Sequence, residues 1–128
     1  MPTLDFPGPP ALNGYSQAVV VAAGSRLIHT SGQVAIDADG TIPEGWEAQT
    51  RLVFRNLGEV LASAGATWAD VVKLTWFVTD TTDLATVRKV RDEFVDVTRP
   101  PASSLVQVAG LFRPGLLVEV EAVAAVPA

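Results

Sequence analysis

Two carboxylates, Glu119 and Glu121, stand two positions apart in the otherwise apolar segment from Leu116 to Val126. Residues i and i+2 of a strand share a face, so the pair offers acceptor oxygens among hydrocarbon, the setting in which a carboxylate serves as general acid or base. The same spacing suits two solvated or ion-paired strand residues. Pro100-Pro101-Ala102-Ser103-Ser104 sets two hydroxyls at the start of a strand, fit to hold the polar end of a small ligand. With no His or Lys base beside them they lack the activator that a serine nucleophile needs, and turn-capping is the competing reading. Thr30-Ser31-Gly32-Gln33 combines a hydroxyl, an amide and a glycine that permits close approach, and it also reads as a structural turn. Tyr15, the single tyrosine, offers a phenol to a site or an anchor to the first strand. His29, the single histidine, lies in an apolar stretch and reads as a packing or interface residue rather than a catalyst.

The residue types that are missing narrow the chemistry further. Without cysteine, and with one histidine, a single chain cannot build a Cys-His nucleophile pair, an iron–sulfur cluster or the usual zinc ligand set. Reactions must run on Asp, Glu, Arg, Lys, Tyr, Ser, Thr, backbone groups or water. Nine Lys and Arg against fourteen Asp and Glu give a net charge of −5. That balance repels a polyanion, so no nucleic-acid partner is expected. The one basic cluster, Arg88, Lys89 and Arg91, runs straight into Asp92 and Glu93. The longest apolar runs, such as Ala18 to Ala23, fall far short of the roughly 20 residues of a membrane span. The first residues also lack the basic start and apolar middle of a signal peptide. The expectation is a cytoplasmic protein without a membrane partner.

These side chains must be positioned by the elements that surround them. The 128 residues, 48% of them apolar, read as one domain, 1–128, with a proline-rich extended arm over 1–13 before the fold begins. Ser16 to Ala23 and Leu27 to Ser31, separated by Gly24-Ser25, predict a β-hairpin. Trp46, Val53, Leu57, Val60, Leu61 and Ala64 fall at helical spacing and predict a helix ended by Gly65. From Asp70 to Asp80 the pattern alternates, with Val72, Leu74, Trp76 and Val78 on one face. A second helix follows Asp80 to Asp83, supported by Arg88–Asp92 and Lys89–Glu93 pairs and ended by Arg99-Pro100-Pro101. Strands over Ser103 to Ala109 and Leu116 to Val126 complete a β-β-α-β-α-β-β order. The expected class is α+β: a single mixed sheet with two helices on one face. Two helices cannot cover both faces, and the last strand is apolar on both, so self-association through the sheet is expected.

Several segments, taken in order, resemble the Rid (reactive intermediate deaminase, or YjgF) family. They are Gly14-Tyr15-Ser16-Gln17-Ala18-Val19, Thr30-Ser31-Gly32-Gln33, Gln49-Thr50 with Asn56-Leu57, Ala64-Gly65-Ala66, Asp70-Val71-Val72-Lys73, Pro101-Ala102 and Leu117 to Ala124. The resemblance implies a chorismate-mutase-like fold and a homotrimer with its sites in clefts between subunits. It implies hydrolysis of small reactive imines or enamines to a 2-keto acid and ammonia, with neither metal nor organic cofactor. Carried over by position, Glu119 matches the glutamate that orients or activates water, Tyr15 the tyrosine lining the cleft, and Ser31 a small hydroxyl residue there, while Glu121 stays structural. Deaminase members place an arginine after Pro-Ala, where its fork clamps a substrate carboxylate; here that position is Ser103. Arg88 stands where many members have Asn, and Leu105 where some have Cys. The expected site is therefore Glu119 as catalyst with Tyr15, Ser31, Arg88, Ser103 and Ser104 binding substrate. Arg88, Arg99 and Arg113 are the candidates for restoring the lost positive charge. The expected function is an imine or enamine hydrolase with altered substrate choice. A non-catalytic, metabolite-binding trimer is the alternative, and a ribonuclease the least favoured reading.

Overall fold

The computed structural model describes residues 3–9 and 14–128. Its elements are β1 (Leu4–Asp5), β2 (Val20–Val21), β3 (Arg26–His29), β4 (Gln33–Val34), α1 (Trp46–Ser63), β5 (Val71–Val78), α2 (Leu84–Arg91), β6 (Ala102–Gln107) and β7 (Val118–Val126). The larger sheet runs β3-β7-β5-β6, with β4 also paired to β7. Only β5 and β6 are parallel, because a helix, α2, carries the chain between them. The rest is antiparallel. The expected α+β class, one mixed sheet with helices on one side, is the observed architecture.

Periodicity explains the core. Phe54, Leu57 and Leu61 recur along one face of α1 and are fully buried against Leu74 and Val78 of β5 and Val118, Val120 and Ala124 of β7. Phe54 stacks on Trp68 with ring centroids 4.9 Å apart and meets Trp76 at 5.2 Å and Phe94 at 5.3 Å. At the end of α1, the Gly65 N–H donates to Ala62 O and the Ala66 N–H to Leu61 O. Gly65 has φ +84° there, the left-handed geometry that lets a glycine close a helix. The buried amide of Gln49 ties α1 to the strand entering β7. Its Nε2 donates to Pro43 O and Gly115 O, and its Oε1 accepts from the Leu117 N–H.

Four local expectations are corrected. The valine-rich stretch does not pair with Leu27 to Ser31 in a hairpin. Val20–Val21 pairs instead with Leu4–Asp5, and β3 pairs with β7. The fold thus takes in Leu4, which packs with Val72 and Ala125 on the face away from the helices. Residues 1–2 and 10–13 of the expected arm lie outside the described residues. Val72 is not on the face of Leu74. A bulge between Val71 and Lys73 turns Val71 into the main core and Val72 to the opposite side, since an extra residue shifts strand parity by one. Helix α2 ends at Arg91, well before the prolines. The chain tightens there, with the Phe94 N–H donating to Arg91 O, and Phe94 reaches the aromatic cluster. Finally, Glu93 pairs with Arg51 of α1 at 2.5 Å, and Asp92 with Arg91 at 2.9 Å; neither expected i,i+4 pair forms among the described residues. Arg51 holds the Glu93 carboxyl below its ordinary range.

Candidate active site

Strand parity decides where the two adjacent serines go. In the β5–β6 register Leu74 stands beside Ser103, Thr75 beside Ser104 and Trp76 beside Leu105, and residues paired this way share a face. Ser103 and Leu105 therefore face the helices with Trp76. Ser104 faces the other side, where its Oγ accepts a hydrogen bond from Lys73 Nζ at 2.9 Å. Ser104 is thus not brought to the cleft that Ser103 enters.

That cleft lies between α2 and β6. It is a cavity of about 240 Å³ that brings together Tyr15, Arg88 and Ser103, joined by Arg91. Trp76, Leu84, Val87 and Leu105 form its apolar wall. Tyr15 is held there by its neighbour Ser16, which bridges to Ala102 in parallel. The Ser16 N–H donates to Pro101 O at 3.0 Å and its Oγ to Pro100 O at 2.6 Å. On the other flank, the Arg91 guanidinium lies against Gly14, where a Cβ would collide with it and where φ is +75°. Arg91 Nε and Nη2 both donate to Asp92 Oδ1, at 3.0 and 2.9 Å.

Ser31 and Glu119 belong to a different place. The Thr30 N–H donates to Ala122 O, and Thr30 Oγ1 accepts from the Ala122 N–H, each at 3.0 Å. This two-point attachment lays Ser31-Gly32 along β7. A Cβ on Gly32 would run into the Glu119 carboxylate, so the glycine is what lets that side chain lie where it does. Glu119 is paired with Phe77 and shares the helix-free face with Glu121 and Thr75. The structure thus divides the expected site into two sets on opposite faces of one sheet: Tyr15, Arg88 and Ser103 on the helix side, Ser31 and Glu119 on the other. Among the described residues no group of three or more His, Asp or Glu is arranged to hold a metal ion, and no helix is long and apolar enough to cross a membrane.

The sequence pattern described as Endoribonuclease L-PSP matches residues 7–126. This chain belongs to the Rid family. The Rid protein YyfB of Yersinia pestis superposes with a TM-score of 0.82 at 33% identity, covering 97% of this chain and 99% of that one. The TdcF protein of Escherichia coli, solved with bound serine, gives 0.73 at 36% identity over 92% of each chain. Among characterised sequences, the 2-iminobutanoate/2-iminopropanoate deaminase of Rattus norvegicus is 36% identical over 118 residues, covering 91% of this chain and 82% of its own length. A RutC family protein of Synechocystis is 37% identical over 122 residues, covering 93% and 91%.

Within this Rid chain the three candidate cations separate. Arg88 lines the cavity. Arg99 lies over the Phe6 ring at 4.9 Å and Arg113 over Phe112 at 5.7 Å, each a cation–π contact elsewhere. Sequence reasoning missed Arg91. Its spacing carried a signal, since residues i and i+3 of a helix share a face, but the neighbouring Asp92 and Glu93 drew the reading toward surface ion pairs. It also missed what presses on the two glycines: a guanidinium on Gly14 and a carboxylate on Gly32.

Proposed function

We propose that this chain is a hydrolase of the reactive-intermediate-deaminase type, acting on small imines or enamines in a site completed between copies of a homotrimer. One observation carries the reading: Glu119 and the Tyr15–Arg88–Ser103 cavity lie on opposite faces of the same sheet, so a ligand in the cavity meets a Glu119 carboxylate only from a second copy. The deaminase name of the rat relative and the serine bound to TdcF support a small-molecule site in the same fold. Glu119 orients and deprotonates a water, which adds to the imine carbon. The carboxyl returns that proton to nitrogen, giving the carbinolamine, and then passes the hydroxyl proton to nitrogen as the C–N bond breaks and the C=O bond forms, so that one imine and one water give one 2-keto acid and one ammonia. Ser31 of the same copy as Glu119, and Ser103 of the cavity, hold the polar end of the substrate, and Tyr15 closes the cleft. Ser103 is too short and uncharged to clamp a carboxylate from β6, so the substrate choice differs from that of members with arginine there.

The test generates imines from a panel of amino acids with an amino-acid oxidase and follows their capture by semicarbazide. Accelerated loss of at least one imine, reduced at least about 100-fold by Glu119→Gln, is expected, with 2-iminopropionate a poor substrate. Hydrolysis that survives Glu119→Gln, or the absence of any hydrolysis, overturns the reading. In the second case a ligand that raises the melting temperature yet survives incubation unchanged favours a metabolite-binding trimer. A ribonuclease, which the family description names, is opposed by the net charge of −5.

A further inference from the structure

The cavity between α2 and β6 has an ionic composition that specifies more than its size does. Two guanidiniums line it, and they are not equivalent. Arg91 is engaged twice by Asp92 Oδ1 and its side chain is only 12% exposed, so its charge is partly offset and its Nε–Nη2 edge is occupied. Arg88, one turn earlier, is exposed and has no carboxylate within ion-pair distance among the described residues. The cavity therefore presents one available guanidinium, set on α2 beside Leu84 and Val87 of the same helix, with Leu105 of β6 and Trp76 of β5 supplying the sheet side of the lining. A planar fork of this kind matches one carboxylate through two hydrogen bonds. A second anionic group would meet hydrocarbon or an arginine already shared with Asp92, and would be the more weakly paired of the two. The short Ser103 leaves room that a long side chain from β6 would fill, and about 240 Å³ is more than a three-carbon acid occupies.

We infer that the cavity selects monocarboxylic 2-imino and 2-oxo acids with branched aliphatic or aromatic side chains, their carboxylate held by Arg88 from α2 and their hydrocarbon laid against Leu84, Val87 and Leu105. This rests on the reading of the cavity as the substrate-binding half of the site, and it names the substrate class. Arg88 is then the specificity-determining residue. The clamp comes from the helix, and the substrate chain points along the wall.

Isothermal titration calorimetry on the intact protein, with stable 2-oxo acids as probes, tests this without turnover. 4-Methyl-2-oxopentanoate and phenylpyruvate are expected to bind at least about 10-fold more tightly than pyruvate, since each buried methylene adds to affinity. The neutral 4-methylpentanamide is expected to bind at least about 10-fold more weakly than 4-methyl-2-oxopentanoate. Arg88→Gln is expected to weaken 4-methyl-2-oxopentanoate at least about 10-fold, with Arg88→Lys between the two. Because Arg88 is exposed, both variants should unfold at the parent temperature. Equal binding of pyruvate and the longer acids, unchanged binding by Arg88→Gln, or no binding of any 2-oxo acid overturns the inference. Selective binding without imine hydrolysis would sink the hydrolase reading and leave this one standing. Glu119-dependent hydrolysis without preference for the longer acids does the reverse.

Discussion

Gly32 and Glu119 are best understood as one unit, because the carboxylate lies where any other residue at 32 would place its Cβ. Gly32→Ala must therefore push the Glu119 side chain aside while leaving the sheet intact. We expect kcat for imine hydrolysis to fall as steeply as in Glu119→Gln, with a change in melting temperature of only a few degrees, measured side by side on the two variants. Gly14→Ala should behave differently. It displaces the Arg91 guanidinium and also forces an L side chain to φ +75° next to Tyr15 of the cavity lining, so it should weaken 2-oxo acid binding through Tyr15 and lower the melting temperature together. The residue types of the candidate site can be read in the sequence. Tyr15, Ser31, Arg88, Ser103 and Glu119 all stand out by type and order. Their distribution cannot be read there, because whether two consecutive serines share a ligand depends on strand parity, and parity depends on where the strand is bulged. Ser104 follows Ser103 in sequence yet reaches Lys73 on the far face.

At the scale of the elements, α1 is held by its buried face and by one polar clip. Leu57 is fully buried among strand side chains, and Leu57→Ala should destabilise by about 2–5 kcal/mol in urea unfolding. Gln49→Ala would remove the bonds to the Pro43 and Gly115 carbonyls and the Leu117 N–H, at about 0.5–1.5 kcal/mol for each hydrogen bond lost. The turn before α2 is pinned by Asp80, whose Oδ1 accepts from the Thr82 hydroxyl and N–H. These bonds hold the Asp80 carboxyl below its ordinary value of 3.8. The stabilisation they bring is complete above that ordinary value and disappears as pH falls through the lowered one. In Thr82→Val the side-chain bond, the larger contribution, is removed. The Asp80 titration followed by carboxyl carbon NMR should then move up toward 3.8. Both long helical and alternating patterns were readable, because their buried faces repeat over many residues. The β2 pairing was not, since the valine-rich segment takes as its partner Leu4–Asp5, two residues that lie before the periodic region and carry no alternation of their own. The bulge at Val72 was equally hidden, as two consecutive valines fit either face.

For the molecule as a whole, the described residues cover the sheet face away from the helices at one end, where β1 and β2 bring Leu4, Phe6, Val19 and Val21 over Val72, Val123 and Ala125. Leu27 and Val106 remain 55% and 46% exposed. If three copies share this face, light scattering should give three times the 13.5 kDa chain mass, and the melting temperature should rise with protein concentration; a monomer at micromolar concentration would count against both the assembly and the shared site. The position of β7 has another consequence. It lies inside the sheet, between β3 and β5, although it follows both in the chain. During vectorial synthesis β3, β4 and β5 wait without their common neighbour, and the larger sheet cannot be completed until Val126 has left the ribosome. At roughly 5–20 residues per second the stretch from β3 to β7 takes seconds to tens of seconds to emerge. Through that interval β3 and β5 present unpaired edges to chaperones, and the larger sheet is completed only when β7 arrives.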